Sequence, residues 1–149
     1  MPPITRSTTA SPEQVFRVLS APPTYALWVV GSRSVESHHD GWPEPGSRFE
    51  HTQGQWPVII HDETESAVSD PPRRLELIVK ARPVLVARVI LELRPTDDGG
   101  TEIYMEEEPL SGFLATFVRY PPGALLTQLR NRLSLRRLSR ISEAVAAVT

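Results

Sequence analysis

The sequence predicts an α+β domain in which a curved antiparallel sheet wraps around one long C-terminal helix. Three observations carry this reading. A capped short helix and a second short one stand near the N-terminus, the middle of the chain alternates apolar and polar residues with a period of two, and a helical segment runs from about Gly123 to Val148. Alternation with period two marks antiparallel strands with one wet face. At ~1.5 Å per residue the final helix would be roughly 37 Å long, enough to cross a small domain.

The elements follow in order. Residues 3–10 are rich in β-branched side chains and read as a first strand. Ser11-Pro12-Glu13-Gln14 has a cap residue, a proline at the first helical position and a glutamine three residues after the cap. That is a capping box, so a helix should run to about Leu19 with Val15, Phe16 and Leu19 on its buried side. Pro22 and Pro23 break it and restart a second short helix through Tyr25, Leu27 and Trp28, which Gly31 ends. Less regular strands are expected at about 33–39, 47–53 and 57–68, with loop 40–46 and a turn at Ser69-Asp70-Pro71-Pro72. Then Leu75, Leu77, Val79 and Ala81 share one face of a strand, with Glu76, Lys80 and Arg82 on the other. Ala87, Val89, Leu91 and Leu93 repeat this against Arg88, Glu92 and Arg94, and Ile103 and Met105 against Glu102, Tyr104, Glu106 and Glu108. With the first strand, this makes a seven-stranded sheet.

Parity decides the last hairpin. Opposed residues lie on the same face, so Leu93 cannot oppose Tyr104, as a two-residue loop at Asp98-Gly99 would require. A three-residue loop Asp97-Asp98-Gly99 with a left-handed Gly99 satisfies parity and turn chemistry. It sets Arg94 opposite Glu102 and Arg88 opposite Glu108 on the wet face. On the inner face it sets Leu93 by Ile103, Leu91 by Met105 and Val89 by Glu107, so Glu107 should point inward.

In the final helix Leu126, Leu129 and Leu133 form one apolar stripe, while Leu138, Ile141, Val145 and Val148 form a second, rotated from the first. Arg132, Arg136, Arg140 and Glu143 fall on a common opposite face. The basic residues Arg130, Arg132, Arg136, Arg137 and Arg140 read as a solvated outer face beside the acidic run Glu106-Glu107-Glu108. Nucleic acid is not expected as a partner.

Composition bounds the function. A length of 149 residues fits one domain, and no linker or internal repeat divides it. The formal net charge of −2 favours neither nucleic acid nor an anionic surface globally. With no cysteine, disulfides and thiolate chemistry are excluded. No run approaches the ~20 apolar residues of a membrane span, and the N-terminus has no signal-peptide pattern, so a cytoplasmic protein is expected. No phosphate-binding glycine loop, nucleophile elbow, HxH or HExxH spacing occurs. His38 and His39 are adjacent on a strand and face opposite ways, which removes them as joint ligands of one ion. Neither a metal nor a cofactor is expected, and a homodimer is left open.

Several residue strings resemble one superfamily in order and spacing. They are Ser11-Pro12-Glu13-Gln14-Val15-Phe16, Tyr25-Ala26-Leu27-Trp28, Gly46-Ser47-Arg48-Phe49, Asp70-Pro71-Pro72-Arg73-Arg74-Leu75 and Gly99-Gly100-Thr101-Glu102. Over essentially its full length the chain resembles the START/SRPBCC superfamily, on the polyketide cyclase/dehydrase-like side. The resemblance implies the helix-grip fold, with an apolar cavity between the sheet and the long helix. The superfamily includes lipid carriers, hormone receptors and aromatic cyclases, so the fold does not transfer an activity.

In such a cavity Phe49, Trp28, Trp56, Leu77, Val79, Val89, Leu91, Met105, Leu126 and Leu129 are the expected ligand-contacting residues. Trp42 also flanks its mouth, from a loop. Continued alternation puts His51 inward on one strand and Asp62 and Thr64 inward on the next. His51, Asp62 and Glu107 could therefore anchor a ligand, perform acid–base catalysis, or serve only as hydrogen-bonded structure. Three functions remain open at this point: carriage of an apolar or aromatic molecule, a polyketide cyclase/dehydrase-like reaction, or an interaction protein with a vestigial pocket.

Overall fold

A computed structural model describes residues 2–38, 40–55, 58–81 and 83–148, and of 36–38, 53–55 and 58 only the backbone. The strands are β1 Ile4–Thr8, β2 Ser32–His38, β3 Arg48–Gln55, β4 Val58–Asp70, β5 Arg74–Ala81, β6 Leu85–Pro95 and β7 Thr101–Ser111. The helices are α1 Pro12–Leu19, α2 Tyr25–Trp28, α3 Ala115–Arg119 and α4 Gly123–Ala147, with a 3-10 turn at Pro22–Thr24 before α2. All seven strands form one antiparallel sheet in the order β1-β7-β6-β5-β4-β3-β2. Strands β2 to β7 are a meander, and β1 returns beside β7. The helices α1 and α2 therefore carry the chain from one edge of the sheet to the other, while α4 packs on β1, α1 and α2. This is the helix-grip fold.

Local chemistry sets the elements as the residue pattern requires. The Ser11 hydroxyl accepts from the Gln14 amide at 3.2 Å, and the Ser11 amide donates to the Gln14 side chain at 2.8 Å, which closes the capping box of α1. In the β6–β7 hairpin Gly99 has φ +85°, and Leu93, Leu91 and Val89 oppose Ile103, Met105 and Glu107. On the wet face Arg88 bonds Glu76 at 2.8 Å, Lys80 bonds Glu65 at 3.0 Å and Arg74 bonds both Glu76 and Glu92. These pairs are partly solvated at the sheet surface, and each adds modest stability. The dry face, with Leu75, Leu77, Leu91, Leu93 and Ile103, meets Val15, Phe16 and Leu19 of α1 and Leu135 and Leu138 of α4.

Three features differ from the sequence reading. Trp42 is buried in the core rather than placed at a cavity mouth, its indole N–H donating to the Leu19 carbonyl at 3.0 Å. Its ring stands edge-on to Phe49 at 4.7 Å between centroids. The short helix α3 was not expected, because five residues with Thr116 and Val118 among them are too few to show helical periodicity. The rotation of α4 is the third. Its buried side is Asn131, Ser134, Leu135, Leu138, Ser139 and Ser142. Leu126 and Leu129, expected to face the sheet, are 59% and 56% exposed. Two rotated apolar stripes cannot both face one sheet, and the stripe through Leu138 won.

Gly112 joins β7 to α3 in a conformation that only glycine holds comfortably. Its φ is +104°, and an added Cβ would stand 2.4 Å from the Val84 carbonyl oxygen. Gly112→Ala should therefore lower the unfolding free energy by about 2 kcal/mol in urea titration. An unchanged denaturation midpoint would contradict this placement.

Candidate ligand-binding cavity

Between the concave face of the sheet and the middle of α4 lies a cavity of about 90 Å³. Its walls are mainly apolar: Trp28 from α2, Leu77 and Val79 from β5, Ala87 and Val89 from β6, and Met105 from β7. Each strand contributes alternate residues, as the pleat dictates. The polar lining is concentrated in two groups. One is Glu107 with Arg130, Asn131 and Ser134; the other is His51 with Asp62 and Thr64.

Glu107 projects inward from β7 and is 3% exposed, so its charge needs a partner. Arg130 on α4 supplies it, its guanidinium donating to the carboxylate at 2.9 Å and to the Asn131 side chain at 3.3 Å. The Arg130 side chain is 38% exposed, so the cavity reaches solvent at this lining residue. One Glu107 oxygen, the Arg130 Nε–H and the Trp28 indole N–H are buried with no hydrogen-bond partner among the described residues. Two of these groups donate and one accepts. Buried polar groups are ordinarily paired, so this set is open to a ligand's acceptor and hydroxyl.

His51 on β3 lies directly opposite Asp62 on β4. Its Nε2 is 3.1 Å from the Thr64 hydroxyl and 3.7 Å from the Asp62 carboxylate, and its Nδ1 is 3.3 Å from the Ser32 hydroxyl. The Asp62 separation is too long for a hydrogen bond. Both ring nitrogens are therefore held by hydroxyls. Burial lowers the His51 pKa from 6.5 to about 4, which keeps the imidazole neutral at pH 7.

Of the expected lining residues, Trp28, Leu77, Val79, Val89, Met105, His51, Asp62 and Glu107 line the cavity. Phe49 and Leu91 are buried in the core without lining it; Phe49 packs instead against the rings of Tyr25, Trp42 and His51. Leu126 and Leu129 are corrected to the solvent side of α4. Trp56, His39 and Arg82 lie outside the described residues. Arg130, grouped with the solvated arginines by its position in a basic helix, instead turns to Glu107. Asn131 and Ser134 were missed because they are small and polar, although stepping back from Leu138 by helical spacing reaches both. Among the described residues no group of His, Asp and Glu side chains is gathered to hold a metal ion.

No protein-family model matches the chain, and no curated protein matches it. Solved structures do. The Zhui aromatase/cyclase from Streptomyces sp. R1128 is similar at a TM-score of 0.73 and 13% identity, over 95% of this chain and 92% of that one. Ara h 8.0201 is similar at 0.70 and 13%, over 97% and 96%. The di-domain ARO/CYC StfQ from the steffimycin biosynthetic pathway is similar at 0.69 and 16%, over 96% of this chain but 44% of StfQ. At these identities the likeness is one of fold alone, the helix-grip fold.

Proposed function

We propose that this protein binds a small, mainly apolar molecule bearing a hydroxyl or carbonyl group. The observation that carries the proposal is an apolar cavity lined by Glu107, Arg130 and Trp28, each of which keeps a buried hydrogen-bonding atom with no partner among the described residues. A cavity of about 90 Å³ encloses no more than one ring, since an engineered apolar cavity of about 150 Å³ holds benzene. A larger ligand would extend past Arg130 into solvent.

Two of the similar structures are aromatase/cyclases, which brings a catalytic reading to His51, Asp62 and Glu107. The geometry favours binding over that reading. A base whose conjugate acid has a pKa of about 4 has little driving force for proton abstraction at neutral pH. Its two nitrogens are also already engaged by Ser32 and Thr64.

Displacement of a fluorescent apolar probe by phenol and by toluene tests the role of the polar end. The wild type should prefer phenol by about tenfold, the worth of one hydrogen bond to a charged group. The Glu107→Leu/Arg130→Leu double variant should lose that preference while still binding toluene. An unchanged preference would remove the pair as the recognition element.

A further inference from the structure

From Gly112 to Ser142 the chain carries six arginines and no acidic residue, although the whole chain is net −2. Among the described residues, most of the large exposed apolar side chains lie in this stretch. Phe113 and Leu125 are 69% and 67% exposed, and Phe117, Leu126, Leu129 and Leu133 are also exposed. The pieces adjoin one another: α3 packs on α4, and an added Cβ at Gly123 would lie 1.9 Å from the Phe117 carbonyl oxygen. Helical spacing extends the outward row Leu125, Leu129, Leu133 along α4 into Arg132, Arg136 and Arg140. One outer face is thus apolar at its N-terminal end and cationic at its C-terminal end.

We propose that this face docks on the surface of an anionic lipid bilayer. The leucines and phenylalanines would enter the headgroup boundary, while the arginines reach lipid phosphates beside them. A second copy of the chain is a poorer occupant. A twofold contact would set this arginine-bearing face against itself, with no carboxylate between Gly112 and Ser142 to compensate. The helix lies on the bilayer and does not span it, since among the described residues no helix is long and apolar enough to cross a membrane. The docking is independent of what the cavity holds.

Co-sedimentation with vesicles tests it. The wild type should pellet with mixed phosphatidylglycerol–phosphatidylcholine vesicles, weakly with phosphatidylcholine alone, and less as salt rises. Leu125→Glu with Leu129→Glu should abolish binding. Arg132→Gln, Arg136→Gln and Arg140→Gln together should weaken it by about tenfold or more. All five positions are exposed, so thermal melts matching the wild type would confirm that the variants fold. Absence of wild-type binding to anionic vesicles, or equal binding to both vesicle types, would overturn the proposal. So would a sedimentation-velocity dimer that both variants dissociate, or binding of RNA in place of vesicles.

Discussion

Arg130→Leu is expected to lower the unfolding free energy by about 3 kcal/mol, roughly 10 °C in melting temperature for a domain of this size. The reason is the carboxylate left behind. Glu107 sits on the inner face of β7, 3% exposed, with Arg130 the partner of one oxygen and no partner for the other among the described residues. Removing the guanidinium strands that group among Val89, Met105 and Leu77. The effect falls at the low end of the range for broken buried pairs, because Arg130 stands at the mouth and water can follow it in. Glu107→Leu/Arg130→Leu should recover most of the loss, since the pair contributes little net stability against an apolar replacement. A double-mutant cycle by urea denaturation reads both effects, and additive single losses would contradict the pairing.

The second large effect is a pH dependence carried by one side chain. The His51 pKa is about 4 in the folded protein against 6.5 when unperturbed. Between those values the unfolded chain takes up a proton that the native state refuses, so stability falls as pH falls. The contribution is fully present above pH 6.5, and about 3 kcal/mol of it is gone by pH 4. His51→Gln removes this titration. The difference in unfolding free energy between wild type and variant should therefore shrink as pH drops from 7 to 4. The remaining histidines are common to both proteins and cancel in the difference. Parallel pH profiles would show that His51 is not held neutral by burial.

The fold and half of the site were legible in the sequence for a local reason. Strand parity is set by a short turn, so Asp97-Asp98-Gly99 was enough to bring Glu107 inside, and alternation alone placed His51 and Asp62 on the dry face. The other half depends on how α4 is rotated, which is decided by packing across the molecule. The leucines of its first turns outweighed Asn131 and Ser134 in apolar pattern, yet the buried side follows Leu135 and Leu138. For the same reason Arg130 could not be told from its neighbours: its role depends on a carboxylate 23 residues earlier in the chain. Trp42 shows the same limit, since a loop tryptophan gives no periodicity to say that it closes the core against Leu19 and Phe49.

If the cavity is a ligand site, filling it from Ala87 must exclude the ligand. Ala87 is buried on β6 and lines the cavity, so Ala87→Phe fills the space with a ring. Native mass spectrometry with a panel of single-ring phenols and aryl ketones should show a one-to-one adduct for the wild type. The same adduct should be absent for a folded Ala87→Phe protein. No adduct across the panel, or an adduct that survives in Ala87→Phe, would contradict a ligand site in the cavity.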